Sequence, residues 1–563
     1  MLIHALTCLM LLQAPLGTAP PPQTNSASAS IQGIIRRVGT GEPIPRARIT
    51  LNALPNTPQA NPIQSPLSPP RTMTTGKDGR FVFAGLAAGR YSLSAFANGY
   101  VRQSYGQKSP NQPGTTIALN AEQNLKDVVF DMVPAGTITG RIYDLDNIPL
   151  PGADVVLQRF AYDANGQRTM QIVQQARTND LGEYRLYWVT PGKYYIRADY
   201  TGAPSPMSRN PNEYFGPLTE GYASTFYPGS AEPSTATEID IAAGAELGTI
   251  DITFARTTTF KVTGRVIVTA SLPSGSRPFV GLRPKQGGIS GNIPTTINPD
   301  GSFEIRNVPP GVYVLNATAG NPMNSLRAEK SVDVNNDVEG IVLTLSAGFT
   351  LPIHVVFEGQ QSATGTAVDP VGNMRAMLRS SDGSFAGGSI ASMIDPPVLK
   401  SNGLITLSQV QPGTYRLNLT PLPSPDYYIK AITLGQTDAL RDGLTLDQIP
   451  DKPVEVLVSA NGGRIEGSVR DKDGKPSVST QVILVPNERT QADRFRVSAT
   501  DTNGHFTMRG IYPGEYKLFA WDGLEAGAYR DPDVVRRYEE LGVRAAILEG
   551  SNPNVELRVI RVP

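Results

Sequence analysis

The chain has 563 residues, with 50 basic and 50 acidic side chains, 55 glycines, 48 prolines and one cysteine, Cys8. That length exceeds what one core supports. The balanced charge attracts neither nucleic acid nor an anionic bilayer, and a lone cysteine excludes a disulfide framework or a thiolate metal cluster.

From the N-terminus, Leu2 to Leu12 is almost wholly apolar and is followed by small and polar residues through Thr18, Ala19 and Ser26 to Ala29. This reads as a signal peptide and polar linker over residues 1–29, although no Lys or Arg precedes the apolar run. It predicts export: secreted, periplasmic or at the cell surface. No later stretch approaches 18 apolar residues, so no transmembrane segment is expected in the mature chain.

Downstream, one pattern recurs five times. Glycines ten positions apart form the pairs Gly79/Gly89, Gly182/Gly192, Gly301/Gly311, Gly403/Gly413 and Gly504/Gly514. Two residues after each second glycine stands a tyrosine: Tyr91, Tyr194, Tyr313, Tyr415 and Tyr516. In the third copy, Asp300-Gly301 suits a tight reversal. Phe303 and Ile305 alternate with Ser302 and Glu304 at the period of a half-buried strand. Pro310-Gly311 suits a type II turn, and Tyr313 and Leu315 resume the alternation. The fourth copy is looser, with Ile405 in place of the first aromatic.

Upstream of four hairpins, a glycine interrupts a β-rich run, at Gly33, Gly140, Gly264 and Gly467; Leu351 to Val356 lacks it. A pattern of this period specifies an array of small domains. The fold class expected is all-β: five tandem antiparallel β-sandwiches of prealbumin or immunoglobulin type, with one short helix near the C-terminus. The boundaries read from the pattern are 30–134, 135–256 with an aromatic insert, 257–347, a divergent 348–461, and 462–563. Short joins suggest a semi-rigid rod.

Departures from the repeat are where specificity is sought. Pro55 to Pro70 reads as an extended loop. The second module carries an insert from Thr201 to Ser230 holding Tyr214, Phe215, Tyr222, Phe226 and Tyr227, and has Tyr187-Trp188 at its hairpin tip. Exposed aromatic faces can stack on sugar rings. The candidate ligand-binding residues are therefore Tyr187, Trp188, Tyr214, Phe215, Tyr222 and Tyr227. The competing reading has these rings packing the insert onto its own sandwich or sealing a joint. In the last module Asp531 caps a short helix with Pro532 in its first turn and Val534, Tyr538 and Leu541 on one face. Trp521 and Tyr529 read as its core.

Catalytic chemistry is sparse. Only His354 and His505 remain after the N-terminal segment. Two distant histidines make a zinc site improbable, and no nucleophile elbow, phosphate loop or dinucleotide fingerprint occurs. Asp144 to Asn147 and Asp471 to Gly474 lack the full calcium loop and read as hairpin turns. Neither an enzyme activity, a metal nor a cofactor is expected.

The repeated motif, closest in Gly467 to Val469, Thr500 to Phe506 and Pro513 to Leu518, resembles the carboxypeptidase regulatory-like domain, a carbohydrate-binding-like, prealbumin-type sandwich, over nearly all of the mature chain. The name refers to a companion domain and implies no catalysis. Similarity to collagen-adhesin B-type repeats would imply a Lys–Asn crosslink. Lys261 is the only first-strand lysine and the final strand of its module has no Asn, so none is expected. With export expected from the N-terminal segment, the resemblance to starch-binding-like domains and the aromatic insert together imply a non-catalytic protein that binds a polysaccharide or surface glycan, or other surface proteins. The alternative is a structural spacer or adhesin-like rod with no small ligand.

Overall fold

The computed structural model describes residues 29–562 except 55–68, 108–113, 145, 164–165, 201–221, 255–256, 269–277, 286–292, 296, 322–323, 359–373, 381–396, 401 and 490. Five β-sandwiches follow one another along the chain. In each, the first strand lies between the hairpin strand and the last strand, as with Phe260–Val268 between Ser302–Val308 and Val338–Leu345. The facing sheet pairs the second strand with the strand after the Pro-Gly bend, as Phe279–Pro284 pairs with Gly311–Asn321. Phe303, Ile305, Tyr313 and Leu315 are buried between the two sheets, so the period-two reading of the hairpin holds.

Most pairings are antiparallel, but at least one in every module is not. The first and last strands run parallel: Ala29–Arg37 with Asn124–Met132, Gly136–Tyr143 with Glu246–Leu247 and Ile252–Thr253, Phe260–Val268 with Val338–Leu345, Phe349–Glu358 with Val454–Ser459, and Gly463–Arg470 with Asn554–Arg561. In the fifth module Ala520 to Asp522 also pairs with Val559 to Arg561, which joins both sheets into one of seven strands.

The repeated residues have repeated jobs. Each module's tyrosine donates its hydroxyl to the carbonyl four residues back: Tyr91 to Ala87, Tyr194 to Thr190, Tyr313 to Pro309, Tyr415 to Gln411 and Tyr516 to Tyr512, at 2.6–2.9 Å. The ring is buried, and the bond satisfies its polar tip while fixing the bend. A buried threonine ties the second strand to the hairpin in three modules. Thr178 donates to Leu150 O at 2.7 Å and accepts from Ala153 N at 2.8 Å; Thr75 and Thr500 make the same pair of bonds.

The first-strand glycine is required by close approach. A Cβ on Gly33 would overlap the Val128 carbonyl and the Phe81 ring, and one on Gly467 would overlap Val555 O and the Phe506 ring. The ring covers the glycine from the neighbouring strand, with Gly33 opposite Phe81 and Gly467 opposite Phe506.

The Pro-Gly bend departs from a type II turn. Gly192, Gly311, Gly413 and Gly514 have φ of 148–159°, well beyond the left-handed well. The left-handed residue lies earlier, in a bulge of the hairpin strand, at Gly85, Trp188, Asn307, Gln409 and Gly510, with φ of 56–67°. Each strand pair shifts register at this point.

The C-terminal helix forms as Pro532–Arg536, with Asp531 accepting from Asp533 N at 2.8 Å. It is shorter than the sequence suggested, and a 3-10 turn at Glu539–Leu541 follows it. Val535 is the buried residue, Val534 and Tyr538 pack partly, and Leu541 is exposed because the helical register breaks before it. The helix covers a second core on the outer face of the last sheet, built on Trp521, which is 0% exposed and stacks on Phe519 at 4.5 Å. A second short helix, Ala439–Asp442, is capped by Asp438.

Tyr162 of the second module packs into that same outer core. Gly527 permits the approach, since a Cβ there would stand 2.9 Å from that of Tyr162. Thr115 Oγ1 of the first module meets Ser479 Oγ of the fifth. The fifth module therefore touches the first two, and the array folds back where short joins alone suggested a rod.

Candidate binding site at the junction of the first two modules

The joint between modules one and two is fixed by backbone bonds: Ala135 N to Gly99 O at 2.8 Å, Val101 N to Val133 O at 2.9 Å and Gly244 N to Pro134 O at 3.0 Å. The hairpin strand Glu183–Val189 carries Tyr187 and Trp188 to this joint. Trp188 occupies the left-handed bulge position, where an L side chain costs roughly 1–2 kcal/mol and glycine or asparagine is the usual solution. The bulge turns both rings outward, so Tyr187 is 49% and Trp188 50% exposed. The two rings meet edge to face at 5.3 Å, and Phe96 of the first module meets Trp188 edge to face at 5.9 Å.

Two grooves flank these rings. One, of about 560 Å³, is lined by Arg37, Tyr100, Arg185, Tyr187, Trp188 and Glu246 among others. The other, of about 630 Å³, is lined by Glu42, Arg46, Arg48, Phe96 and Asn98, and shares Tyr100. Arg37, Arg46, Arg48 and Arg185 are exposed, and among the described residues none of them has an ion-pair partner. The surface thus combines flat apolar rings with free hydrogen-bond donors, the two elements that hold a sugar by stacking and by hydroxyl contacts.

Tyr222 and Tyr227 lie elsewhere. Tyr222 rests on Phe254 at 5.2 Å and on Tyr200 at 5.7 Å, half-buried against the core of the second sandwich. Tyr227 packs on the same core, and Phe226 is buried. Tyr214 and Phe215 lie outside the described residues, as does residues 1–28, where the signal peptide is expected. The structure therefore brings Tyr187 and Trp188 together at the joint and draws Tyr222 and Tyr227 onto their own sandwich. Phe96 and Tyr100, which the sequence reading left out, complete the surface. The signal for the site was present in the alignment of the repeats, where Trp188 stands in a column that holds Gly85 and Gly510.

The same module holds a perturbed carboxyl. Burial pushes Asp154 up to about 6, against the pull of Arg177 and aided by the charge of Asp199. Arg197 and Asp199 form a nearby pair at 2.9 Å that is largely shielded from water. Asp154 lies between Arg177 and Asp199 on three neighbouring strands.

The remaining polar candidates have local partners. Asp144 Oδ1 accepts from Asp146 N and Ile148 N, and Asp471 Oδ1 from Asp473 N and Lys475 N, at 2.8–2.9 Å. Both are side-chain-closed turns. His354 Nδ1 lies 2.9 Å from Glu455. Lys261 Nζ pairs with Glu339 at 2.9 Å. Among the described residues, no group of three or more His, Cys, Asp or Glu could hold a metal ion, and no helix is long and apolar enough to cross a membrane.

No curated protein matches the chain. Among solved structures, the Bacillus anthracis TIE protein is 14% identical with a TM-score of 0.16, covering 57% of this chain and 51% of that one, so the chain spans about half its length. The minor pilin GBS52 of Streptococcus agalactiae is 17% identical with a TM-score of 0.22, covering 44% of this chain and 100% of that one. The shaft pilin SpaA of Lactobacillus rhamnosus GG is 13% identical with a TM-score of 0.18, covering 41% and 98%. Scores this low leave the arrangement of the modules to be read from the strands themselves. Residues 30–132, which supply Phe96 and Tyr100 to the junction, match the carboxypeptidase regulatory-like domain, the family that the repeats resemble.

Proposed function

We propose that the chain is an exported, non-catalytic binding protein that holds carbohydrate against Tyr187 and Trp188 at the joint of its first two modules. One observation carries this reading. Trp188 keeps a left-handed backbone where its siblings carry Gly, Asn or Gln, and its ring stays half-exposed beside two grooves. Strain held at an exposed aromatic is an arrangement that packing alone does not require. The exposed arginines supply donors for hydroxyl or acidic groups along the same surface.

A second reading is favoured by the contact between Phe96 and Trp188. There the ring seals the joint, and the array is a structural element of the cell surface with no small ligand.

A glycan array probed with the full chain separates the two. Binding to a defined glycan class that is lost in Trp188→Asn, with unchanged thermal stability, supports the first. Absence of glycan binding together with a lower melting temperature in the same variant supports the second.

A further inference from the structure

A cavity of about 360 Å³ lies between the fourth and fifth modules. Its size falls near the lower end of small-molecule sites, roughly 300–1,000 Å³. The fourth module lines it with Leu417, Leu419 and Leu422, and the fifth with Arg494, Phe495 and Tyr512. Arg496 and Arg530 also reach it, with Asp493 as the lone acid in the lining.

The walls are held in place by a clamped joint. Arg509 donates twice to Asp426, Nε to Oδ1 and Nη2 to Oδ2, both at 2.6 Å. Tyr428 donates to Glu549 at 2.6 Å, and Lys430 bridges Glu549 and Glu358 at 2.8 Å each. Gly510 sits so close to the Pro425 carbonyl that a Cβ would overlap it. A cavity framed this way keeps its shape without a ligand, which lowers the cost of binding.

Arginine outnumbers acid in the lining, three to one. Arg496 donates only to backbone carbonyls, those of Asp493, Phe495 and Gly510, and forms no ion pair among the described residues. Burial lowers its tendency to hold a proton. Arg494 lies 4.1 Å over the Tyr512 ring, pairs with Glu488 at 3.3 Å, and leaves its buried Nε without an acceptor. Arg496 lacks an anionic acceptor and Arg494 keeps one unpaired N–H beside its Glu488 pair; a carboxylate or sulfonate satisfies both. The leucines opposite offer a flat apolar body nothing to hydrogen-bond.

We propose that this inter-module cavity is a binding site for a small aromatic anion, with its acidic group toward Arg494 and Arg496 and its ring against Leu419 and Leu422. The site is independent of the aromatic surface at the first joint.

The test titrates the full chain with 1-anilinonaphthalene-8-sulfonate, read by fluorescence, with benzoate and neutral benzamide as competitors. Saturable binding is expected, displaced by benzoate and not by benzamide. Arg494→Gln should weaken it at least about tenfold. Leu422→Trp, which fills the cavity and keeps every charge, should do the same, and stands as the second variant should Arg494→Gln unfold. Trp188→Asn should leave it unchanged. Absence of saturable binding, equal displacement by benzamide, or full binding in a folded Leu422→Trp chain overturns the proposal.

Discussion

Ile353 faces Ile405 across an antiparallel pair, at the position where the other modules set a glycine beneath Phe81, Tyr184, Phe303 or Phe506. The two departures of the fourth module are thus one exchange: a branched side chain fills from below the space that an aromatic ring fills from above. Ile405→Phe alone should overpack this core, at about 1–3 kcal/mol. Ile353→Gly alone should leave a cavity and cost about 2–5 kcal/mol. The double variant should recover part of the loss, with a coupling of about 1–3 kcal/mol. Hydrogen exchange along Phe349–Glu358 measures all three. Simple additivity would mean the two sites are not exchanging volume.

The threonine clamp predicts a sharper cost for a small change. Thr178→Val keeps the shape but strands the Ala153 amide and the Leu150 carbonyl. The second sandwich should lose about 1–3 kcal/mol, whereas Thr178→Ser should retain most of its stability. Exchange protection along Asp154–Tyr162 is the readout, and equal protection in both variants would contradict the clamp.

Asp154 gives the second module a pH dependence. Its folded carboxyl titrates at about 6, above the usual carboxylate range, mainly because it is buried. Between about pH 4 and pH 6 the folded chain binds the proton more tightly than the unfolded chain does. Stability from this group is therefore greatest below about pH 4, falls as pH rises through 6, and is flat beyond. The full span is on the order of 2–3 kcal/mol. Asp154→Asn should flatten the profile of module-two stability between pH 4.5 and 7. An unchanged slope in the variant would assign the effect elsewhere.

Trp188→Gly separates binding from stability. Glycine relieves a left-handed cost of about 1–2 kcal/mol, close to what the lost edge contact with Phe96 is worth, about 0.5–1.5 kcal/mol. The melting temperature should stay within a few degrees while glycan retention on an affinity gel disappears. A large drop in melting temperature would mark the ring as a joint seal.

The sandwich count, the hairpin strands and the core tyrosines were legible because burial imposes a period of two and the bends demand glycine. The parallel partner of each first strand was not, since alternation looks the same whichever way the neighbour runs. The left-handed bulge was hidden because Gly85, Trp188, Asn307, Gln409 and Gly510 share a conformation but little chemistry. The aromatics of the second module could not be sorted by composition alone. Tyr222 and Tyr227 turn back onto Phe254 and its core, whereas the bulge turns Tyr187 and Trp188 out. The contact of Tyr162 with Gly527 joins residues more than 360 positions apart, and no local pattern reports it.

Parallel pairing of first and last strands has a mechanical consequence. Tension entering a module at one end and leaving at the other pulls these two strands lengthwise past each other. Their hydrogen bonds are then loaded together in shear, where an antiparallel pair joined at one end would unzip bond by bond. Once the contacts between distant modules part, each sandwich would yield to stretching only when its whole ladder gives way.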